Sequence, residues 1–176
     1  MKLSKEDLSS QISQCVVEVD NTAQALDELV ELIVSKNCKD LDEYVSYVKS
    51  MLDDQTRPIT NIELDDIVMT LPTLLYFTST NQEIVGIRED VARIDELFAY
   101  GEALKQASGT VQEKQAFAKN VTQNESLTTI VYQRANRQIK ARTDNALEVL
   151  QSCKKVLTRR LAELELSKSS PSKQQS

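Results

Sequence analysis

The stretch RANRQIKAR, from Arg134 to Arg142, holds four cations and no anion in a chain whose formal net charge is −6. Guanidinium and ammonium groups at this spacing suit contact with the phosphates of a polyanion. Each phosphate neutralised releases counterions, so affinity of this kind falls steeply with salt. Further along, CKK and TRR add Lys154, Lys155, Arg159 and Arg160. The charge is distributed unevenly: residues 1–60 and 61–130 each carry a net −6, and residues 131–176 carry +6. Asymmetry of this kind points to a polyanion partner. A second reading stays open, in which the cations form a solvated face or neutralise the acidic remainder of the fold or of a neighbouring subunit. Asp144 and Glu148 interrupt the cationic face, and Lys140 and Asp144 have the i,i+4 spacing of an ordinary helix-surface pair.

Other chemistries have little to work with. The chain has no histidine, which removes most zinc sites and histidine-based acid–base or triad catalysis. Its three cysteines, Cys15, Cys38 and Cys153, are far apart and read as reduced, mostly buried small side chains. No glycine-rich phosphate loop, nucleophile elbow or metalloprotease helix motif is present. Asp53/Asp54 and Asp65/Asp66 are the nearest thing to a magnesium site. Adjacent residues on a helix point about 100° apart, so these pairs read better as helix-terminus charge. No catalytic residue, metal site or cofactor is expected. Tryptophan is absent and aromatics are 5% of residues, which leaves Tyr132 and Phe117 as the nearest candidates for base stacking; Tyr132 reads better as core. No helix-turn-helix, zinc-finger or RNA-binding signature occurs, so nucleic-acid binding would be non-specific.

The elements that carry these residues are helices. Three glycines and three prolines in 176 residues leave little material for tight turns. Ser4 with Asp7 opens the first helix with a variant capping box. Ile12, Val16, Val19, Ala23, Leu26, Val30 and Ile33 form its apolar stripe, and it is expected to stop near Lys36 or Asn37. Asp40 with Glu43 then starts a short helix over 41–53. Pro58 breaks the chain, Thr60 with Glu63 opens the next helix, and Pro72 kinks or divides it. From Asn81 a long helix carries Ile84, Ile87, Val91, Ile94, Phe98 and Gly101 in unbroken three–four steps. Gly101, on the stripe itself, suggests a close helix crossing. Gly109 suits a left-handed C-terminal cap, and Thr110 with Glu113 makes another capping box. The segment from Thr110 to about Leu166 forms one helix, or two with a break near TQNES.

On that last segment Tyr132, Ala135, Ile139, Ala146, Leu150, Cys153, Leu157 and Leu164 share an apolar stripe. Arg134, Arg137, Lys140, Lys155 and Arg159 gather on nearly the opposite side. Arg142 and Arg160 lie on one edge of the stripe, where they can reach a neighbouring helix, and Lys154 lies on the other edge.

With these segments laid out, LPTLLYF, GEALKQASGTVQEKQAFAKN and ESLTTIVYQRANRQIKARTDNALEVLQSCKKVLTRRLAEL together resemble a group of small helical bacteriophage proteins. Some of these are similar to phage recombination mediators, which load a recombinase onto single-stranded DNA. The resemblance covers a little over half of the chain. It implies a ring-like or otherwise multimeric helical protein that binds single-stranded DNA through basic helix residues. Position by position, it offers Arg134, Arg137, Lys140 and Arg142 as phosphate contacts. Lys154, Lys155, Arg159 and Arg160 come next, with subunit contact as a second use. It also implies that acidic surfaces hold the recombinase or a single-strand-binding protein.

The expectation is an all-α protein, an elongated antiparallel bundle of long amphipathic helices that self-associates as a homo-oligomer through its apolar stripes. An acidic helical region spans 1–60, a long-helix domain spans 61–166, and a polar disordered tail spans 167–176. No apolar run approaches the roughly 20 residues needed to span a bilayer, and the first residues lack a signal peptide's apolar stretch. A cytoplasmic protein is therefore expected, in the host's cytoplasm for a phage protein. The leading function is a non-enzymatic, single-stranded-DNA-binding mediator of recombination or replication. The alternative is a helical structural or adaptor protein that oligomerises and binds only protein.

Overall fold

Low glycine and proline content and long runs of good helix formers give helices of unusual length. The structure is a computed structural model that describes residues 5–54 and 56–169, with side chains placed over 12–54 and 56–168. Its described elements are α1 (Lys5–Asp53), α2 (Asn61–Gln106), α3 (Val111–Val121) and α4 (Gln123–Ser169). The fold is all-α, as expected. The Ser4–Asp7 capping box falls on residues whose side chains lie outside the described set.

The expected stop near Asn37 does not occur, and at Pro72, expected to kink or divide the helix, the division does not occur. α1 runs through Asn37 without a stop. Val34, Cys38, Leu41 and Val48 are all buried, so the apolar spacing continues across the polar KNCKD stretch, and packing outweighs the local stop signals. Glu43 is no cap; it lies beside Lys39, four residues back, on an exposed face. α2 likewise passes through Pro72. Proline removes one helix hydrogen bond. Here Leu64, Ile67, Leu71 and Leu75 are buried on both sides of it and hold the two halves in one helix.

The remaining breaks follow the sequence. At Pro58 the chain turns, and Thr60 and Glu63 form a reciprocal cap: Glu63 N–H donates to Thr60 Oγ1 at 3.2 Å, and Thr60 N–H donates to Glu63 Oε2 at 2.8 Å. Arg57 closes on the same carboxylate with both terminal nitrogens, at 3.0 and 2.7 Å. This fork, with the Thr60 bonds, pulls the Glu63 carboxyl down to about 2. A depressed carboxyl stabilises the fold above its unfolded value, and that contribution disappears as pH falls through about 2. Glu63→Gln is accordingly expected to lower the urea midpoint at pH 6, with the gap to the unmodified protein closing as pH approaches 2. Gly109 takes a φ of +111°, and Thr110 with Glu113 completes the capping box of α3. The break before α4 is a single buried residue, Thr122, inside the TQNES stretch; its backbone and its hydroxyl both donate to the Ala118 carbonyl at 3.0 Å.

The chain forms two compact units that are discontinuous in sequence. The first combines residues 1–36 with 83–138, and the second combines 37–82 with 139–176. Each unit thus draws on both sides of residue 60, the boundary expected for the acidic region. In the second unit the core consists of Leu41 and Val48 from α1, Leu64, Ile67, Leu71 and Leu75 from α2, and Ala146, Leu150 and Cys153 from α4. α4 continues as helix to Ser169, so the polar end begins later than expected; residues 170–176 lie outside the described set.

In the first unit the buried residues are smaller: Val30 and Val34, Val85, Ala92 and Ala103, Ala118, Val131 and Ala135. The bulkiest stripe of α2 is not its inward face. Its inward face carries Val85, Ala92 and Ala103, while the bulkier stripe is turned outward, with Ile94 64% and Phe98 71% exposed. Among the described residues nothing lies within 4 Å of a side chain built at Gly101, so none of them makes the expected crossing there. Small residues allow close helix packing, and that gain outweighed the larger apolar area of the stripe. Ile12, Val16 and Val19 of α1 are exposed as well, and so is Cys15, while Cys38 and Cys153 are buried, as expected for most of the cysteines. Among the described residues, no helix is long and apolar enough to cross a membrane.

Candidate nucleic-acid interface

Which face α4 shows to water is decided by what the opposite face holds. In the first unit Val131 and Ala135 are buried, and two polar ties fix the helix against α2. Ser126 Oγ donates to Glu96 Oε1 at 2.6 Å, and Asn136 Nδ2 donates to Glu89 Oε2 at 2.9 Å. Glu89 is also held by Arg93 at 2.7 Å. The Glu89 carboxylate is therefore occupied by a neutral amide of the RANRQIKAR segment and by an arginine of its own helix. Arg134 and Arg137 are exposed and make no ion pair among the described residues. Asn136 is the residue that sequence reasoning missed. A single amide among cations was its only signal, and it sits on the inward side as a positioning group.

The second unit sorts its cations into two sets. Arg142 pairs with Asp42 of α1. Arg160 Nη1 donates to the Ile59 carbonyl at 2.6 Å and to Asn61 Oδ1 at 3.1 Å, tying α4 to the α1–α2 connection. Both arginines stand at the edge of the apolar stripe and reach a neighbouring helix or loop, one of the uses their positions allow; as phosphate contacts they are already engaged. Arg159 Nε bonds Glu163 at 2.8 Å, one turn along, and that bond with the carboxylate's charge raises the guanidinium pKa above its ordinary value. With the Arg159 side chain 82% exposed, this pair is screened by water and is weak. Lys140, Lys154 and Lys155 are exposed and unpaired among the described residues, and the Lys140–Asp144 pair allowed by spacing does not form.

The aromatic candidates divide. Phe117 is exposed on α3. Tyr132, expected in the core, is half-buried and lines a groove of about 380 Å³ together with Ile87, Val91, Thr128 and Glu125. Of the paired carboxylates, Asp54 accepts from the backbone and hydroxyl of Thr56, and Asp66 accepts from the Tyr44 hydroxyl at 3.0 Å. Among the described residues no group of three or more acidic or sulfur ligands is placed to hold a metal ion. The buried Cys153 thiol is pushed up by desolvation, away from thiolate chemistry.

No protein-family model, curated protein or solved structure matches the chain.

Proposed function

We infer that the protein is a non-enzymatic mediator of recombination or replication that binds single-stranded DNA through its phosphates. The observation that carries this reading is a set of five cations on one helix, Arg134, Arg137, Lys140, Lys154 and Lys155, exposed and without ion pairs among the described residues of an acidic chain. Exposed cations that are free of other contacts can meet phosphates without first breaking a bond, and they carry no sequence preference. Arg159 joins them when phosphate displaces Glu163. The acidic surfaces of α1 and α2 are left to hold a protein partner, a recombinase or a single-strand-binding protein, in the cytoplasm of the cell or of a phage host.

The test is fluorescence anisotropy of labelled oligo-dT across a salt series. Five contacts at about −0.7 per phosphate give a log–log slope near −3.5, or roughly a hundredfold loss between 50 and 200 mM salt. Absence of binding at low salt would leave the second reading, a helical adaptor that binds only protein. The exposed apolar residues of α1 and α2 favour that alternative.

A further inference from the structure

The α2 stripe has the spacing of a coiled-coil seam, with Ile84, Val91 and Phe98 at one core position and Ile87, Ile94 and Gly101 at the other. All five large side chains are exposed, although they form a continuous apolar row about 21 Å long. Monomeric proteins seldom leave such a row open to water. The charges beside the seam say what covers it. Arg88 and Asp95 occupy the same flanking position one heptad apart, both are exposed, and neither has an ion-pair partner among the described residues.

We propose that this stripe packs antiparallel against the same stripe of a second copy, with Arg88 of each chain facing the partner's Asp95. In this register Ile84 lies over the partner's Gly101, Ile87 over the partner's Phe98, and Val91 over the partner's Ile94, so large residues meet small or medium ones in each layer. The two-fold axis makes the Arg88–Asp95 contact twice. A parallel pair would set Glu83 against the partner's Arg88 but also Asp90 against the partner's Asp95, so that attraction is offset by a like-charge contact, and it would stack Phe98 on its own copy. The antiparallel seam also gives Gly101 a role. An interior helix glycine is less favourable than alanine, and no neighbour among the described residues of its own chain calls for it; across the seam it makes room for the partner's Ile84. The seam uses residues of α2 and none of the α4 cations, so the pairing stands apart from the DNA-binding reading.

Sedimentation equilibrium of the full chain without DNA tests the proposal. The unmodified protein should associate at concentrations up to about 0.1 mM. Arg88→Asp and Asp95→Arg, each alone, turn two attractive contacts into two repulsive ones and should each weaken association about thirtyfold. Equimolar mixing of the two variants should restore it, as should the double variant R88D/D95R. Ile94→Glu should abolish association; if that variant loses helix content by circular dichroism, the charge-reversal set decides alone, because both side chains are exposed. A monomeric unmodified protein, single reversals without effect, or failure of the mixture to recover would overturn the proposal. So would association that survives Ile94→Glu but is lost in Val16→Glu, which would place the interface on α1.

Discussion

Replacing Arg134, Arg137, Lys140, Lys154 and Lys155 together by alanine is expected to weaken oligo-dT binding on the order of a thousandfold at 0.1 M salt. Each contact with single-stranded phosphate contributes about 0.7 to the salt exponent, and five contribute about 3.5, so at a tenth molar the counterion term is worth about three and a half decades. The salt slope itself should flatten toward zero in the same variant. Fold should survive, because all five side chains are exposed and none is tied to another element among the described residues. The contrast is with Arg142→Ala and Arg160→Ala. These lose the Asp42 pair and the bonds to Ile59 and Asn61, and should lower the urea midpoint while leaving the salt slope unchanged. Anisotropy and circular dichroism on the three proteins separate the two classes of arginine.

The second large effect lies in the core of the second unit. Leu71 is 0% exposed, with Leu64, Ile67 and Leu75 of α2 in the same cluster and with Ala146, Leu150 and Cys153 of α4. Leu71→Ala removes buried methyl groups one residue from Pro72, where the helix already lacks a hydrogen bond. A destabilisation of about 2–5 kcal/mol is expected from the lost transfer energy and the cavity left behind. Met69, two residues away and 75% exposed, is the control: Met69→Ala should change stability by no more than about 0.5 kcal/mol. Urea denaturation followed by far-ultraviolet circular dichroism measures both.

The caps at Thr60 and Thr110 and the helices they open were legible because each rests on local chemistry: a reciprocal hydrogen bond, a glycine at positive φ, a proline outside the helix; at TQNES, which has no such feature, the sequence left one helix or two open. The helical joins at Asn37 and Pro72 were not legible, because burial of Cys38 and Leu41 on one side and of Leu71 and Leu75 on the other overrides local signals. Which face of α2 turns inward was not legible for a related reason. Periodicity finds the bulkiest stripe, but Val85, Ala92 and Ala103 pack inward because they are small. On α4 a single stripe, with Ala135, Ile139, Ala146 and Leu150 all buried, made the inward face readable and with it the outward position of Arg134, Arg137 and Lys140. Which edge arginines are engaged was not readable, since Asp42 and the Ile59 carbonyl lie about a hundred residues away in sequence.

The most direct measurement is the acetylation rate of each lysine, read by mass spectrometry with and without oligo-dT at low salt. Lys140, Lys154 and Lys155 should be protected by the oligonucleotide, while Lys39, beside Glu43 on α1, should react at the same rate in both samples. Equal reactivity of the three α4 lysines with and without DNA, or protection confined to lysines elsewhere, would contradict the assignment of the α4 cations as the DNA-binding surface.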